Sequence, residues 1–172
     1  MSPRVVLVGP PGAGKTTVGD EIAAILGLDV RDTDADVERT HGQTIADMFV
    51  DHGEEYFRAA EASAVRAALE QHDGIVSLGG GAVLHDGTRA ALRGHPVVFL
   101  DVGLSEAARR VGLNTARPLL LGNVRSQMKA LMDQRRAIYL DVAEYVVSTD
   151  ARSPREVADD IVAWLSEGER AR

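Results

Sequence analysis

The sequence has no cysteine. That absence removes disulfides, thiolate metal sites and a cysteine nucleophile together, and it is compatible with a reducing compartment. Basic residues are in the minority: 19 Lys and Arg face 26 Asp and Glu, for a net charge of −7. A broad nucleic-acid surface is therefore not expected, and any anion must be met by cations gathered locally. No apolar run is long enough to span a bilayer. Met1-Ser2-Pro3-Arg4 carries no leader pattern and runs straight into a strand-like segment, so the expected location is the cytoplasm, away from membranes. The five histidines are scattered without H-E-x-x-H spacing and read as surface or packing residues. With 172 residues, 45% hydrophobic and 26% charged, the chain suits one domain with one substantial core. It shows no internal repeat, low-complexity tract or linker.

What is present is an alternation of apolar runs with helical patterns. Strands are expected at 4–8, 28–31, 74–78, 96–100 and 145–148. Helices are expected at 15–26, 44–51, 54–71, 86–93, 105–111 and 125–140, and after Ser153. Val18, Ile22, Ile25 and Leu26 keep helical spacing, as do Phe57, Ala60, Ala64, Ala68 and Leu69. Met128, Leu131, Met132, Arg135 and Tyr139 line one side of another helix, where the methionines read as core packing. Ser153-Pro154-Arg155-Glu156 has the cap, first-turn proline and third-position acid of a helix start. Residues 112–124 hold two Gly, one Pro and two Asn without periodicity, and read as a mobile loop. Alternating strands and helices imply a five-stranded parallel sheet between two helical layers, a three-layer α/β/α fold. Ligands in such folds sit beyond the C-terminal strand ends.

Directly after the apolar run Val5-Val6-Leu7-Val8, residues 9–16 read Gly-Pro-Pro-Gly-Ala-Gly-Lys-Thr. This is the G-x-x-x-x-G-K-[ST] phosphate loop, set between a strand and a helix N-terminus. Its inward-pointing N–H groups and the helix dipole make an anion nest. Lys15 supplies a mobile cation for β- and γ-phosphates, and Thr16 a hydroxyl for Mg²⁺.

Other polar motifs follow strands or lie on flanking helices. Asp32-Thr33-Asp34 places two carboxylates one residue apart: one could hold Mg²⁺ through water and the other a substrate hydroxyl, or the segment is a solvated loop or a helix cap. Gly79-Gly80-Gly81 is costly to order unless backbone must approach something closely. Arg58 and Glu61 are spaced as an i, i+3 pair. Arg117-Pro118-Leu119-Leu120 lies in the expected mobile loop, where an arginine could cover a transferring phosphate. Asp101 ends an apolar strand like a Walker B acid, although Asp32-Thr33-Asp34 offers the better metal position.

Taken in order, five motifs resemble the shikimate kinase family over about residues 4–165. They are the phosphate loop, Asp32-Thr33-Asp34, Phe57-Arg58-x-x-Glu61, Ser77-Leu78-Gly79-Gly80-Gly81-Ala82 and Arg117-Pro118-Leu119-Leu120. The resemblance implies a P-loop fold of the nucleoside monophosphate kinase type. It implies transfer of the γ-phosphoryl of ATP to the 3-hydroxyl of shikimate, giving shikimate 3-phosphate and ADP on the chorismate route to aromatic amino acids. A monomer is expected. Catalysis would rest on Lys15, Asp34 and Arg117. ATP would be bound by Gly12, Ala13, Gly14, Lys15, Thr16, Thr17, Arg110, Arg117, Arg152 and Pro154. Mg²⁺ would be held by Thr16 and Asp32. Shikimate would meet Asp34, Arg58, Gly79, Gly80, Gly81 and a second arginine, with Glu61 orienting Arg58. Phe49, Phe57, Pro11, Pro118 and Leu119 would wall the pocket. The family's R-x-x-x-Y pattern selects Arg135 over Arg136 as the second arginine, but Ala137 replaces the usual proline, which leaves the choice open. A lid about 112–124 and a substrate-binding helical region about 33–61 would close on the ligands. Lys15 and the arginines are expected to keep Asp34 ionised. The alternatives are another small-molecule P-loop kinase, such as a gluconate kinase, and a non-catalytic ATP-binding switch.

Overall fold

Four consecutive aliphatic residues, Val5–Val8, form strand β1, and all four are buried. A strand without an exposed face belongs at the centre of a sheet covered on both sides. In a computed structural model of the protein, β1 occupies that place. The structure describes the backbone of residues 1–110 and 118–172, and the side chains of residues 1–110 and 125–172.

After β1 come α1 (Lys15–Leu26), β2 (Val30–Asp32), α2 (Thr33–His41), α3 (Ile45–His52) and α4 (Glu54–Gln71). Then follow β3 (Ile75–Ser77), a 3-10 turn at Ala82–Leu84, α5 (Asp86–Leu92), β4 (Val97–Asp101) and α6 (Leu104–Arg110). The chain closes with α7 (Pro118–Val142), β5 (Tyr145–Ser148) and α8 (Pro154–Arg170). The five strands form one parallel sheet in the order β2-β3-β1-β4-β5. No helix among the described residues is long and apolar enough to cross a membrane.

Strand alternation divides the interior into two cores. Val5 and Leu7 face Val18 and Ile22 of α1 and Val157 and Ile161 of α8. Val6 and Val8 face Val65 and Leu69 of α4, Leu92 of α5 and Tyr139 of α7. Each aliphatic side chain buried this fully contributes about 1.5–3 kcal/mol. Met128 and Met132 of α7 pack on the first core, whereas Ile138, Tyr139 and Val142 pack on the second. A third, smaller cluster of Val37, Met48 and Phe57 joins α2, α3 and α4.

Two elements differ from the sequence pattern. Residues 33–41, polar and weakly periodic, form α2. Its start is set by Asp32, whose Oδ1 accepts from Asp34 N at 2.8 Å and Ala35 N at 3.3 Å. Helix α7 begins at Pro118, seven residues before the expected Arg125, because a proline is tolerated in a first turn where its missing N–H has no partner to lose. Residues 112–117 of the expected lid lie outside the described residues.

Helix α8 begins as its sequence indicates. Ser153 Oγ accepts from Glu156 N at 3.1 Å, and Pro154 occupies the first turn. Ser153→Ala removes that acceptor and should lower stability by about 1 kcal/mol. Urea unfolding with an unchanged midpoint would show that the cap contributes nothing.

Candidate active site

The parallel register brings three loops to one edge of the sheet. Asp32 of β2 is level with Ser77 of β3, and Leu7 of β1 is level with Ser77 on the other side. The phosphate loop, the Asp32-Thr33-Asp34 turn and the Gly79-Gly80-Gly81 turn therefore emerge side by side.

The phosphate loop depends on glycine at two positions. A Cβ on Gly9 would lie 2.8 Å from the Leu100 carbonyl oxygen, so only glycine lets β1 turn so close to β4. Gly14 caps α1 with φ of 87°, a left-handed conformation that side chains resist. Lys15 curls back over the loop, its Nζ donating to Gly9 O at 2.7 Å and Pro10 O at 3.1 Å. Burial pushes the Lys15 pKa down to about 8, against the opposing pull of Asp34 and Asp32.

Beside the loop, a cleft of about 260 Å³ is lined by Ala13, Gly14, Thr17, Arg110, Arg152 and Pro154, among others. Arg110 is fixed there by Gly12 O at 3.0 Å, Ala13 O at 3.2 Å and Thr149 Oγ1 at 3.3 Å. Arg152 Nη1 pairs with Asp160 at 3.0 Å. The residues expected around the adenosine half of a nucleotide are thus gathered in one cleft.

Next to Pro11 of the loop, Arg58, Glu61 and Asp34 form a charged cluster around the glycine turn. Arg58 Nη1 donates to Glu61 Oε1 at 2.8 Å, and Glu61 is only 2% exposed. The Arg58 guanidinium lies 5.2 Å from the centre of the Phe57 ring, which in turn packs at 4.9 Å on Phe49. The glycine turn leaves room for these groups. A Cβ on Gly81 would collide with the Arg58 guanidinium, and one on Gly79 would collide with the Asp34 carboxylate and lie 2.9 Å from Glu61 Oε2. A Cβ on Gly80 would press on Pro11 at 3.0 Å. Arg135 of α7 reaches the same cluster, where its charge acts on both Glu61 and Tyr139. Arg117, and the side chains of Pro118 and Leu119, lie outside the described residues.

A cleft holding Arg110 and Arg152 and a charged cluster holding Arg58, Glu61 and Arg135, both beside one phosphate loop, fit a small-molecule kinase. The shikimate kinase family profile matches residues 11–166. A shikimate kinase from Thermobifida fusca is 55% identical over 163 residues, covering 95% of each chain. One from Salinispora arenicola is 54% identical over 166 residues, covering 96% of this chain and 99% of its own. Among solved structures, shikimate kinase from Acinetobacter baumannii in complex with shikimate superposes with a TM-score of 0.88 at 31% identity, covering 98% of this chain and 94% of that one. The chain belongs to the shikimate kinase family.

The two candidate arginines of the shikimate kinase pattern point to different surroundings. Arg135 faces the charged cluster, whereas Arg136 turns away and pairs with Asp101 at 2.8 Å. That pairing also occupies Asp101, the candidate Walker B acid. Asp34 departs from expectation. Burial raises its pKa most, Asp32 raises it further, and Lys15 and Arg58 only partly oppose them. Its Oδ1 is buried without a hydrogen-bond partner. Burial thus outweighs the nearby cations at Asp34.

Three contributors escaped the sequence pattern. Tyr139 donates through its hydroxyl to Gly80 O, holding the glycine turn from α7. Thr149, at the end of β5, accepts from Arg110. Thr33, fully buried, donates to Ser77 O at 3.4 Å. The R-x-x-x-Y spacing marked Tyr139 but gave it no partner.

Whether a Mg²⁺ ion suits this donor set can be tested on Asp32 and Thr16. Asp32 Oδ1 is committed to the α2 cap, its Oδ2 meets no hydrogen-bond donor among the described residues, and Thr16 is exposed. No group of three or more His, Asp or Glu that could cage a metal exists among the described residues. One carboxylate and one hydroxyl suit Mg²⁺, which keeps several waters and takes its remaining ligands from phosphate.

The Lys15 pKa gives a pH test. Below about pH 8 the ligand-free protein holds the ammonium, and above it the proton is lost. Nucleotide phosphates favour the ammonium, so ADP affinity should fall as pH rises through that value, by up to about tenfold per pH unit. Calorimetry at pH 7 and pH 9 should show the loss, together with proton uptake at pH 9. Lys15→Met should bind ADP weakly at both values; a pH effect that persists in this variant belongs to another group.

Proposed function

We infer that the protein transfers the γ-phosphoryl of ATP to the 3-hydroxyl of shikimate, releasing ADP. The observation that carries this reading is the acceptor pocket, where Arg58, oriented by buried Glu61, and Arg135 converge beside the phosphate loop. Two arginines grip a carboxylate through paired, charge-assisted hydrogen bonds. A carboxylate held there fixes the ring of shikimate so that one hydroxyl faces the loop. Asp34, next to Gly79, accepts from that hydroxyl and orients it. Its raised pKa brings it closer to a useful general base than an ordinary aspartate.

Lys15 leaves the Gly9 and Pro10 carbonyls for the β- and γ-phosphates and stays with the γ-phosphoryl during transfer. Arg110, Arg152 and Pro154 flank the adenine, and Gly12, Ala13, Gly14, Thr16 and Thr17 supply loop N–H groups and hydroxyls to the phosphates. Thr16 and Asp32 would hold Mg²⁺, which when bound neutralises phosphate charge. Arg117, from a lid at about 112–124, neutralises the remainder and helps to exclude water, which limits wasteful hydrolysis. Phe49, Phe57, Pro118 and Leu119 complete the pocket walls. Phosphoryl transfer needs mainly such positioning and charge stabilisation. The protein works as a cytoplasmic monomer without nucleic acid or membrane.

ADP release with Mg²⁺-ATP, measured with shikimate, gluconate or no acceptor, tests the reaction. Shikimate-dependent release is expected; release with gluconate alone overturns the acceptor. Arg58→Ala leaves Glu61 buried without its partner and should raise shikimate KM about thirtyfold or more. Arg117→Ala should lower kcat about a thousandfold while leaving shikimate affinity within about twofold. Normal turnover in the Arg117 variant removes that residue from the mechanism.

A further inference from the structure

Arg136 and Asp101 have no part in the mechanism above, yet they join α7 to the sheet beside the site. Arg136 Nη2 lies 2.8 Å from Asp101 Oδ2, at the C-terminal end of β4. Three residues further along α7, Tyr139 is its anchor. It is 1% exposed, its ring stacks on Phe99 at 5.0 Å, and its hydroxyl donates to Gly80 O. At about 100° per residue, Arg136 projects about 60° to one flank of Tyr139 and Arg135 about 40° to the other. One flank meets Asp101 and the other meets the acceptor pocket.

Packing on both cores sets the coarse rotation of α7 and leaves only a small roll about Tyr139 for polar contacts at its flanks to fix. The roll matters most at Arg135, which leans on the Tyr139 hydroxyl and whose Nε is buried with no hydrogen-bond partner among the described residues. With side-chain tips about 6 Å from the helix axis, a roll of about 10° shifts them by roughly 1 Å, and errors of that size are costly in a positioned site. A tie on the opposite flank opposes the roll.

We propose that the Asp101–Arg136 ion pair trims the rotation of α7, within the limits that its core packing leaves, and thereby aims Arg135 at the acceptor carboxylate. Arg136 is a positioning residue that acts through Arg135. The idea rests on the reading that Arg135 binds that carboxylate. The Arg136 side chain is 51% exposed, so the pair adds little to global stability, and its effect should appear in acceptor binding.

The test is steady-state kinetics and shikimate calorimetry on the whole protein and on Arg136→Ala, Asp101→Asn, their double variant, Arg136→Lys and Arg135→Ala. Arg136→Ala and Asp101→Asn should each raise shikimate KM about threefold to fivefold, with kcat and ATP KM within about twofold. The double variant should be no worse than either single one, because both remove the same contact. Arg136→Lys should recover most of the loss. Should Arg136→Ala fold poorly, Asp101→Asn reads the same contact. Unchanged shikimate KM in both single variants, beside an Arg135→Ala that raises it, overturns the proposal. Additive single effects also overturn it. Arg135→Ala without effect on shikimate KM overturns the carboxylate reading beneath, and this proposal with it.

Discussion

Everything at the site depends on β3 lying between β2 and β1 in a parallel sheet. Because all three strands run the same way, their C-terminal turns share one edge. The pairings Asp32 to Ser77 and Leu7 to Ser77 then bring acid, glycine and phosphate loops to the same height. A register slip of one residue would exchange the side chains facing the two cores and move the loops out of line with one another. The two cores stabilise the sheet, and in doing so they hold the active-site spacing.

Within that frame the protein manages charges that await partners. It is acidic overall, yet Lys15, Arg58, Arg110 and Arg135 gather around the phosphate loop. Most of these cations are provisionally satisfied by the protein itself: Lys15 by loop carbonyls, Arg110 by loop carbonyls and Thr149, Arg58 by Glu61. The carboxylate of Asp34 is not satisfied in this way: one of its oxygens is buried with no hydrogen-bond partner among the described residues. Such an oxygen is costly without a ligand and rewards a hydroxyl that reaches it. Glycine makes this density possible, since Gly79 and Gly81 leave open the volumes that Asp34, Glu61 and Arg58 occupy.

Sheet order aside, most of the fold was legible because its signals are local. The bounds of β5 and α1 follow from short apolar runs and a glycine stop, and Ser153-Pro154-Arg155-Glu156 announces α8. Helix α2 was not, because its apolar content is low and its start rests on a carboxylate equally at home in a loop. In the site, Arg58 and Glu61 were legible as one turn of one helix. The partners of Arg136 and Tyr139, 35 and 59 residues away, were not, since only the folded sheet sets those distances. The Asp34 pKa is not legible for a related reason: charge can be counted along a sequence, but burial cannot.

Asp32 carries one further consequence. Its Oδ1 starts α2, the helix whose first turn carries Asp34. A movement of the Asp32 side chain would loosen that turn and displace Asp34 with it, so the two carboxylates of the motif are mechanically one unit.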